Sequence, residues 1–517
     1  MKTRLLKGSV AGVLGIAVLY SAGAYWTGLE AERTLAKQHD MIAGLPIFKV
    51  KSHQYERGWF SSTETTELTF NERFFAPYQG ILPEAAKNAL TGTVKYVNHI
   101  QHGPLPGGLR PARAVVTTEF IMSPDTRKML SRFFGDKEPI TVTNRLNFTG
   151  GGELNVSVPA FDYEETLAGV KIKWQGMTTQ VGYDSDYSQY SIDARLPGLV
   201  LDAATKGHIE FSNLSYQSDT RPGATGAGVG NKELSVTRVK LESKENIPYQ
   251  IKLNELISLL TRIHIGEFIN PAGEIKPSQA DLVNLKYQIV SSEEKEFINA
   301  RAKFGFEKLE VNHTAYGPMR LDLSVNHLHG PSLLKLEQAF SDIQVEGVEP
   351  DKLRQQYIDA VVREGGPILE NNPRLAINDF SLKLPSGEVT VTGNVALNGY
   401  QKGDLNDSRV FLSKLTANAK LSVPRDTLQG LVVAQARNLF TVDASAENPP
   451  SLQEIDELAK NLFASQVDIW SEQGYLQQEG GQLKTSAEWK NGKLTINNRP
   501  VNLPDPAAVE AAAAPKQ

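Results

Sequence analysis

With 517 residues, 40% of them hydrophobic and 22% charged, the chain has ordinary globular composition, which excludes wholesale disorder and a polytopic membrane protein. It holds no cysteine, so disulfides, thiolate nucleophiles and cysteine-based zinc sites are excluded as well. A net charge of −5, from 54 Lys and Arg against 59 Asp and Glu, is too balanced for a nucleic-acid binder.

At the N-terminus Lys2, Arg4 and Lys7 precede an uncharged run from Gly8 to Leu29, and Glu30 and Glu32 follow it. A helix over that run is about 33 Å long, enough to cross a hydrocarbon core of about 30 Å. The flanking charges place its N-terminus in the cytoplasm, and Tyr20, Tyr25 and Trp26 suit the far interface. Residues 1–30 are therefore read as a cytoplasmic tip and a transmembrane anchor. The competing reading is a signal peptide cleaved at Ala22-Gly23-Ala24. Either one exports the rest of the chain, and the anchor makes the inner membrane a partner.

Residues 31–248 read as a β-rich region. Strands are expected at Thr63–Phe70, Thr93–Gln101, Val115–Ile121, Ile140–Phe148, Leu154–Val158, Val170–Gln175, Tyr187–Leu196, His208–Tyr216 and Leu234–Leu241. In Ile140–Phe148, Ile140, Val142, Leu146 and Phe148 oppose Thr141, Thr143, Arg145 and Asn147, so one face is buried and one is wet, as in antiparallel sheet. The Gly-rich stretch Ser218–Asn231 reads as a flexible hairpin loop. It lacks the spacing of a phosphate-binding loop and precedes a strand, not a helix.

Residues 249–503 read as α+β. Apolar residues recur at helical spacing from Leu253 to Ile263 and from Leu353 to Val362. Further helices are expected over Asp426–Leu439 and from Ser451 to Trp470, the latter opened by Ser451 and Glu454 as a capping box. Strands return at Ala302–Val311, Met319–Leu328, Leu375–Leu384, Val389–Leu397 and Val410–Val423. Asn491-Gly492 between Ser486–Lys490 and Lys493–Asn497 marks a type I′ hairpin. Residues 504–517, rich in Ala and Pro, read as a disordered tail.

The fold class is thus α+β and β-rich: large, mainly antiparallel twisted sheet with amphipathic helices packed on one face. Two related halves are one reading, because Asn98-His99-Ile100-Gln101-His102-Gly103-Pro104 resembles Asn326-His327-Leu328-His329-Gly330-Pro331; a chance match is the other.

Those two stretches hold the candidate chemistry. His327 and His329, two apart on a strand, share a face and so could share a metal; His99 and His102 do not without a bulge. Against this, His before Gly-Pro (Gly103-Pro104, Gly330-Pro331) commonly bonds the turn backbone, and no acid adjoins either cluster in sequence. No metal or cofactor is assigned. Tyr55-Glu56-Arg57-Gly58-Trp59-Phe60 reads either as a partner-binding loop or as core aromatics with a charged pair at a strand entry. No Gly-x-Ser-x-Gly, His-Glu-x-x-His or calcium-loop motif is present, which lowers the odds of an enzyme.

A set of weak motifs spans nearly the whole chain. They are Gly23-Ala24-Tyr25-Trp26-Thr27-Gly28, Tyr55-x-Arg57-Gly58-x-Phe60-Ser61-Ser62, His102-Gly103-Pro104-Leu105-Pro106, Asn372-Pro373, Phe380-x-Leu382-x-Leu384-Pro385-x-Gly387, Gly474-Tyr475-Leu476 and Trp489 to Asn497. Together they resemble the YdgA-like family of Gram-negative bacterial proteins of unknown function. The resemblance implies an inner-membrane anchor and a periplasmic domain, and no catalytic residue. The expected role is non-enzymatic: binding or scaffolding in the cell envelope, with a lipid or envelope protein as partner on an uncovered apolar sheet face. A self-associating assembly factor, forming a homo-oligomer through a sheet edge, and an envelope hydrolase with a non-standard site are the alternatives.

Overall fold

A computed structural model describes residues 2–75, 87, 90–108, 110–167, 169–204, 206–244, 279–346, 350–404, 407–439 and 451–501, with the side chains of the first helix described from Val18. The expected helix at Leu253–Ile263 and the tail 504–517 lie outside the described residues. The chain divides into two compact units, residues 1–279 with 335–361, and residues 280–334 with 362–517.

The first unit opens with α1 (Lys2–Ala43). Its strands are β1 (Phe48–Arg57), β2 (Ser61–Phe70), β3 (Thr93–His102), β4 (Ala114–Ile121), β5 (Thr141–Leu146), β6 (Gly152–Val158), β7 (Phe161–Glu165), β8 (Val170–Trp174), β9 (Met177–Tyr183), β10 (Tyr190–Ala203), β11 (Gly207–Pro222) and β12 (Gly228–Ser243). They pair antiparallel in the order β1-β2-β3-β4-β5-β6-β9-β10-β11-β12. The second half of β10 turns to β8 in place of β9, and β7 lies against β8. Short α2 (Glu72–Phe75) and α3 (Pro124–Phe134) interrupt the strands. The sequence reading missed α3, yet its start is written locally: Ser123 caps Thr126 N and Pro124 opens the first turn.

Burial in β2 alternates strictly, with Ser62, Glu64, Thr66 and Leu68 inward. The period is that of a half-buried strand, but three of the four inward residues are polar. The apolar part of the core lies beside them, in Ala31 and Leu35 of α1, Ile100 of β3, Ala114 and Val116 of β4 and Leu146 of β5. The Ser218–Asn231 stretch is largely strand: β11 runs to Pro222 and β12 resumes at Gly228, shortening the expected loop. Gly230 is required there, since at φ 148° an ideal Cβ would overlap the Asp219 carbonyl oxygen.

The second unit contains β13 (Gln279–Glu294), β14 (Phe297–Phe306), β15 (Lys308–Val311), β16 (Thr314–Tyr316), β17 (Met319–His329), β18 (Arg374–Leu384), β19 (Gly387–Leu397), β20 (Leu415–Pro424), β21 (Gln477–Glu479), β22 (Gln482–Lys490), β23 (Lys493–Ile496) and β24 (Arg499–Val501). β13 pairs with β14 and then β15; from β14 the antiparallel sheet continues through β17-β18-β19-β20-β22-β23-β24. Helices α4 (Gly330–Glu346) and α5 (Pro350–Glu370) lie between β17 and β18 in sequence. The strand expected over Val410–Val423 is corrected. Asp407 accepts from Arg409 N and Val410 N and so starts a helix, α6 (Ser408–Lys414), and β20 begins only at Leu415. Asn491 and Gly492 take φ of 52° and 72°, as the expected hairpin turn requires.

Helices α7 (Arg425–Leu439) and α8 (Leu452–Glu472) pack together. On α8, Ile455, Ala459, Phe463 and Val467 form one buried stripe, and Phe463 and Val467 meet Leu483 of β22. The capping box at Ser451 is formed on both sides: Glu454 N donates to Ser451 Oγ and Ser451 N to the Glu454 carboxylate. Ser451→Ala is expected to destabilise α8 by about 0.5–2 kcal/mol. Hydrogen exchange of peptides covering residues 452–460 reads this directly, and unchanged protection there would count against the cap.

Candidate functional site

Helix α1 does not stop at Leu29. It runs to Ala43, and its second half lies on the sheet across β1, β3 and β4. Ala24, Thr27, Ala31, Thr34 and Leu35 recur at intervals of three and four residues and are all buried. The last third of the expected membrane span is therefore packed on protein. Glu30 and Glu32, read as flanking charges, are mid-helix residues. Among the described residues no helix is long and apolar enough to cross a membrane.

The three N-terminal motifs converge where α1 meets the sheet. His102, 3% exposed, closes β3 beneath the helix. Its Nδ1 lies 3.0 Å from the Ala24 carbonyl, which can only accept, so Nδ1 carries the proton. Nε2 lies 3.1 Å from Ser62 Oγ. The imidazole lies flat against Gly28, where an ideal Cβ would come within 2.6 Å of the ring, so no other residue fits without moving it. Gly103, at φ 144°, turns the chain under Ala24 and Tyr20, and Pro104 sits over Gly23.

The first hairpin completes this end. Gly58 makes the turn, its N donating to the Ser61 carbonyl at 2.9 Å with no room for a Cβ. Phe60 takes part through its backbone, its carbonyl accepting from His102 N at 3.0 Å. Arg57 pairs with Glu32 of α1 at 2.9 Å and lies over the Tyr25 ring at 5.4 Å. Tyr55 packs against the apolar cluster. The side chains at the tip remain outside: Trp59 is 57% and Phe60 49% exposed, with Trp26, Tyr25, Tyr20 and Leu105 also exposed. Trp59 and Tyr25 rings meet at 5.2 Å.

Farther along α1 the contact becomes a ladder of buried polar groups. Arg113 donates to Thr34 Oγ1 at 2.9 Å and to the Phe148 carbonyl at 2.6 Å. Gln38, Asn144 and Tyr183 close a ring of hydrogen bonds: Gln38 Nε2 to Tyr183 Oη, Tyr183 Oη to Asn144 Oδ1, and Asn144 Nδ2 to Gln38 Oε1. Burial pushes the Tyr183 hydroxyl up to about 12. Next come His39, His53 and Glu64. Burial holds both imidazoles below their ordinary value and raises the Glu64 carboxyl, which a bond from Asn98 partly offsets.

The other candidate residues are used locally. His99 is exposed and reaches Glu119 on β4 at 2.9 Å, away from His102. His327 sits at a bulge with φ 64°, donates from Nδ1 to the Asn371 carbonyl, and stacks on Phe297 at 3.8 Å. His329 bonds Ser332 at 2.7 Å and faces Glu296 at 3.8 Å. Each imidazole is thus tied to its own turn through Nδ1, His327 to the Asn371 carbonyl and His329 to Ser332. Gly330 and Pro331 start α4, whereas Gly103-Pro104 enters a loop, so the two stretches share a strand end but not an exit.

A second feature is apolar. Phe161, Trp174, Leu199, Phe211 and Val239 form one cross-strand row over β7, β8, β10, β11 and β12. Tyr163, Ile172, Leu201, Ile209 and Leu241 form the next row on the same face, two residues along each strand. Phe133 and Phe134 of α3 cover the β7 end, with ring centroids 4.6–5.4 Å apart. At the β12 end Ile209 and Leu241 are exposed.

Sequence reasoning singled out His102 and the Tyr55–Phe60 stretch but missed their common purpose. It also missed Arg113, His39, His53 and Glu64, and held Gly28 only as part of a motif. The recurrence of Ala24, Gly28, Ala31 and Leu35 at helical spacing is the signal that reveals the docked face. No curated protein matches the chain. A family model, described as a bacterial protein of unknown function, matches residues 1–504 and so takes in every residue of the site. The motif resemblance holds at that level, and the chain belongs to DUF945, a family of bacterial proteins of unknown function.

Proposed function

We propose that the chain is a non-enzymatic binding protein of the bacterial cell envelope, tethered to the inner membrane by the part of α1 before Ala24 and holding a lipid acyl chain on the two apolar rows. The observation that carries the reading is the collar of exposed aromatics, Tyr20, Tyr25, Trp26, Trp59 and Phe60, where the uncharged stretch enters the domain. Tyr and Trp favour the headgroup level of a bilayer. From Gly8 to Gly23 a helix measures about 24 Å, short of the hydrocarbon thickness of about 30 Å. Seating of the aromatic collar at the surface makes up the difference.

For the ligand, the support is the pair of rows with Ile209 and Leu241 exposed at one end. An apolar surface of this kind is matched by hydrocarbon. The full chain purified from native membranes is expected to resist alkaline extraction and to carry phospholipid by mass spectrometry. The double variant Ile209→Glu with Leu241→Glu is expected to lose that lipid about tenfold or more, since an ionised carboxylate is not accommodated against a hydrocarbon chain. A chain that leaves the membrane at alkaline pH sinks the tether; lipid retained in full by the variant sinks the ligand site.

A second reading, self-association, draws on Leu458, Leu462 and Ile469, an exposed apolar stripe on α8 that flanks its buried one. Light scattering in detergent separates a monomer from the dimer this reading requires.

A further inference from the structure

The end of α1 and the first hairpin bring one possible ligand each to a single point. His39 comes from α1, His53 from β1 and Glu64 from β2, and one donor atom of each lies within 4.8 Å of the other two. The pairing explains why two of them meet. His53 lies opposite Thr66 and Glu64 opposite Tyr55, so both point to the face that α1 covers. The His39 and His53 rings stack at 3.7 Å.

The remaining polar atoms are held as an outer shell would hold them. His53 Nδ1 lies 3.1 Å from Thr66 Oγ1, which leaves Nε2 free. Glu64 Oε2 accepts from Asn98 Nδ2 at 2.7 Å, and Asn98 is itself fixed by a 2.7 Å bond from Thr118. Glu64 Oε1 therefore faces His53 Nε2, at 3.8 Å, too far for a hydrogen bond. His39 Nδ1 is buried with no hydrogen-bond partner, and the Glu64 side of the cluster is 3% exposed.

We infer that His39, His53 and Glu64 form a binding site for a divalent transition-metal ion, with zinc the best fit. Two imidazoles and a carboxylate are a donor set that suits zinc, with a fourth position left to water on the exposed side of His53. Tetrahedral zinc, at about 2.0–2.2 Å from each ligand atom, sets those atoms about 3.3–3.6 Å apart, so donor atoms that now lie within 4.8 Å of one another, the His53–Glu64 pair at 3.8 Å, draw together by side-chain rotation. Thr66 and Asn98 then orient the ligands from behind. The ion would bolt the end of α1 to the hairpin. This inference stands whether or not the chain holds lipid.

The test uses the full chain in detergent, without a polyhistidine tag and stripped with chelator. One zinc ion per chain is expected by equilibrium dialysis, and cobalt should give the visible spectrum of a four-coordinate nitrogen–oxygen site. At zinc a hundredfold above its dissociation constant, the melting temperature of the first unit should rise by about 4 °C. His39→Gln and Glu64→Gln should each weaken zinc at least tenfold. Circular dichroism of the metal-free variants shows whether they are folded. X-ray absorption at the zinc edge of the unaltered chain gives a readout that needs no variant, with two imidazoles expected. The inference is overturned by less than stoichiometric zinc, by an edge spectrum without imidazole scattering, or by folded variants that bind zinc unchanged.

Discussion

Leu146→Ala is expected to lower the stability of the first unit by about 2–5 kcal/mol, toward the upper end of that range. Leu146 is fully buried at the end of β5, among Ala31 and Leu35 of α1, Ile100, Ala114 and Val116. Its cross-strand neighbours are Ala114 on one side and Gly152 on the other. Ala31, Ala114 and Gly152 have too little side chain to lean into the space, so the cavity persists and its cost adds to the lost transfer energy. Leu241→Ala, at an exposed position of β12, is the control, with an expected loss below about 1 kcal/mol. Hydrogen exchange across β3 to β5 under increasing urea measures both. Equal losses for the two substitutions would mean that α1 does not seal this cluster.

Gly28→Ala is expected to destabilise, although helix propensity alone predicts a gain of about 1 kcal/mol. The added methyl meets the His102 ring, which is fixed by the Ala24 carbonyl and by Ser62. To make room the ring must leave both, stranding buried polar groups at about 1–3 kcal/mol each. The net loss is about 1–5 kcal/mol. The decisive measurement is the double-mutant cycle. In a His102→Ala background the obstruction is gone, so Gly28→Ala should become neutral or stabilising. The same penalty in both backgrounds would show that the ring does not lie against the helix.

What was legible in advance depended on whether a signal was local. β3, β17, β19 and the Asn491-Gly492 hairpin follow from alternation and turn chemistry carried by adjacent residues. The capping box at Ser451 is equally local. β2 was legible as a strand, but the meaning of its inward Ser62, Glu64 and Thr66 was not, because their partners lie in α1, β3 and β4. The reading of Gly8–Leu29 as one apolar span treated Ala24, Thr27 and Gly28 as lipid-facing bulk. Small residues satisfy a lipid span and a close helix–sheet contact equally well, and only His102 and Pro104, more than seventy positions away, distinguish the two. The His39–His53–Glu64 cluster escaped for the same reason. It is assembled from a helix end and two strands, and no spacing rule joins them.

Because α1 is unbroken from Lys2 to Ala43, about 63 Å of rigid rod joins the N-terminal segment to the sheet. A rod clamped along its second half has no swivel. The direction in which the sheet faces is thus tied to the rotational phase of the first half, and each residue added or removed between Tyr20 and Gly23 would turn one against the other by about 100° and shift it by about 1.5 Å. Spacing in that short stretch works as a compass setting for the whole first unit.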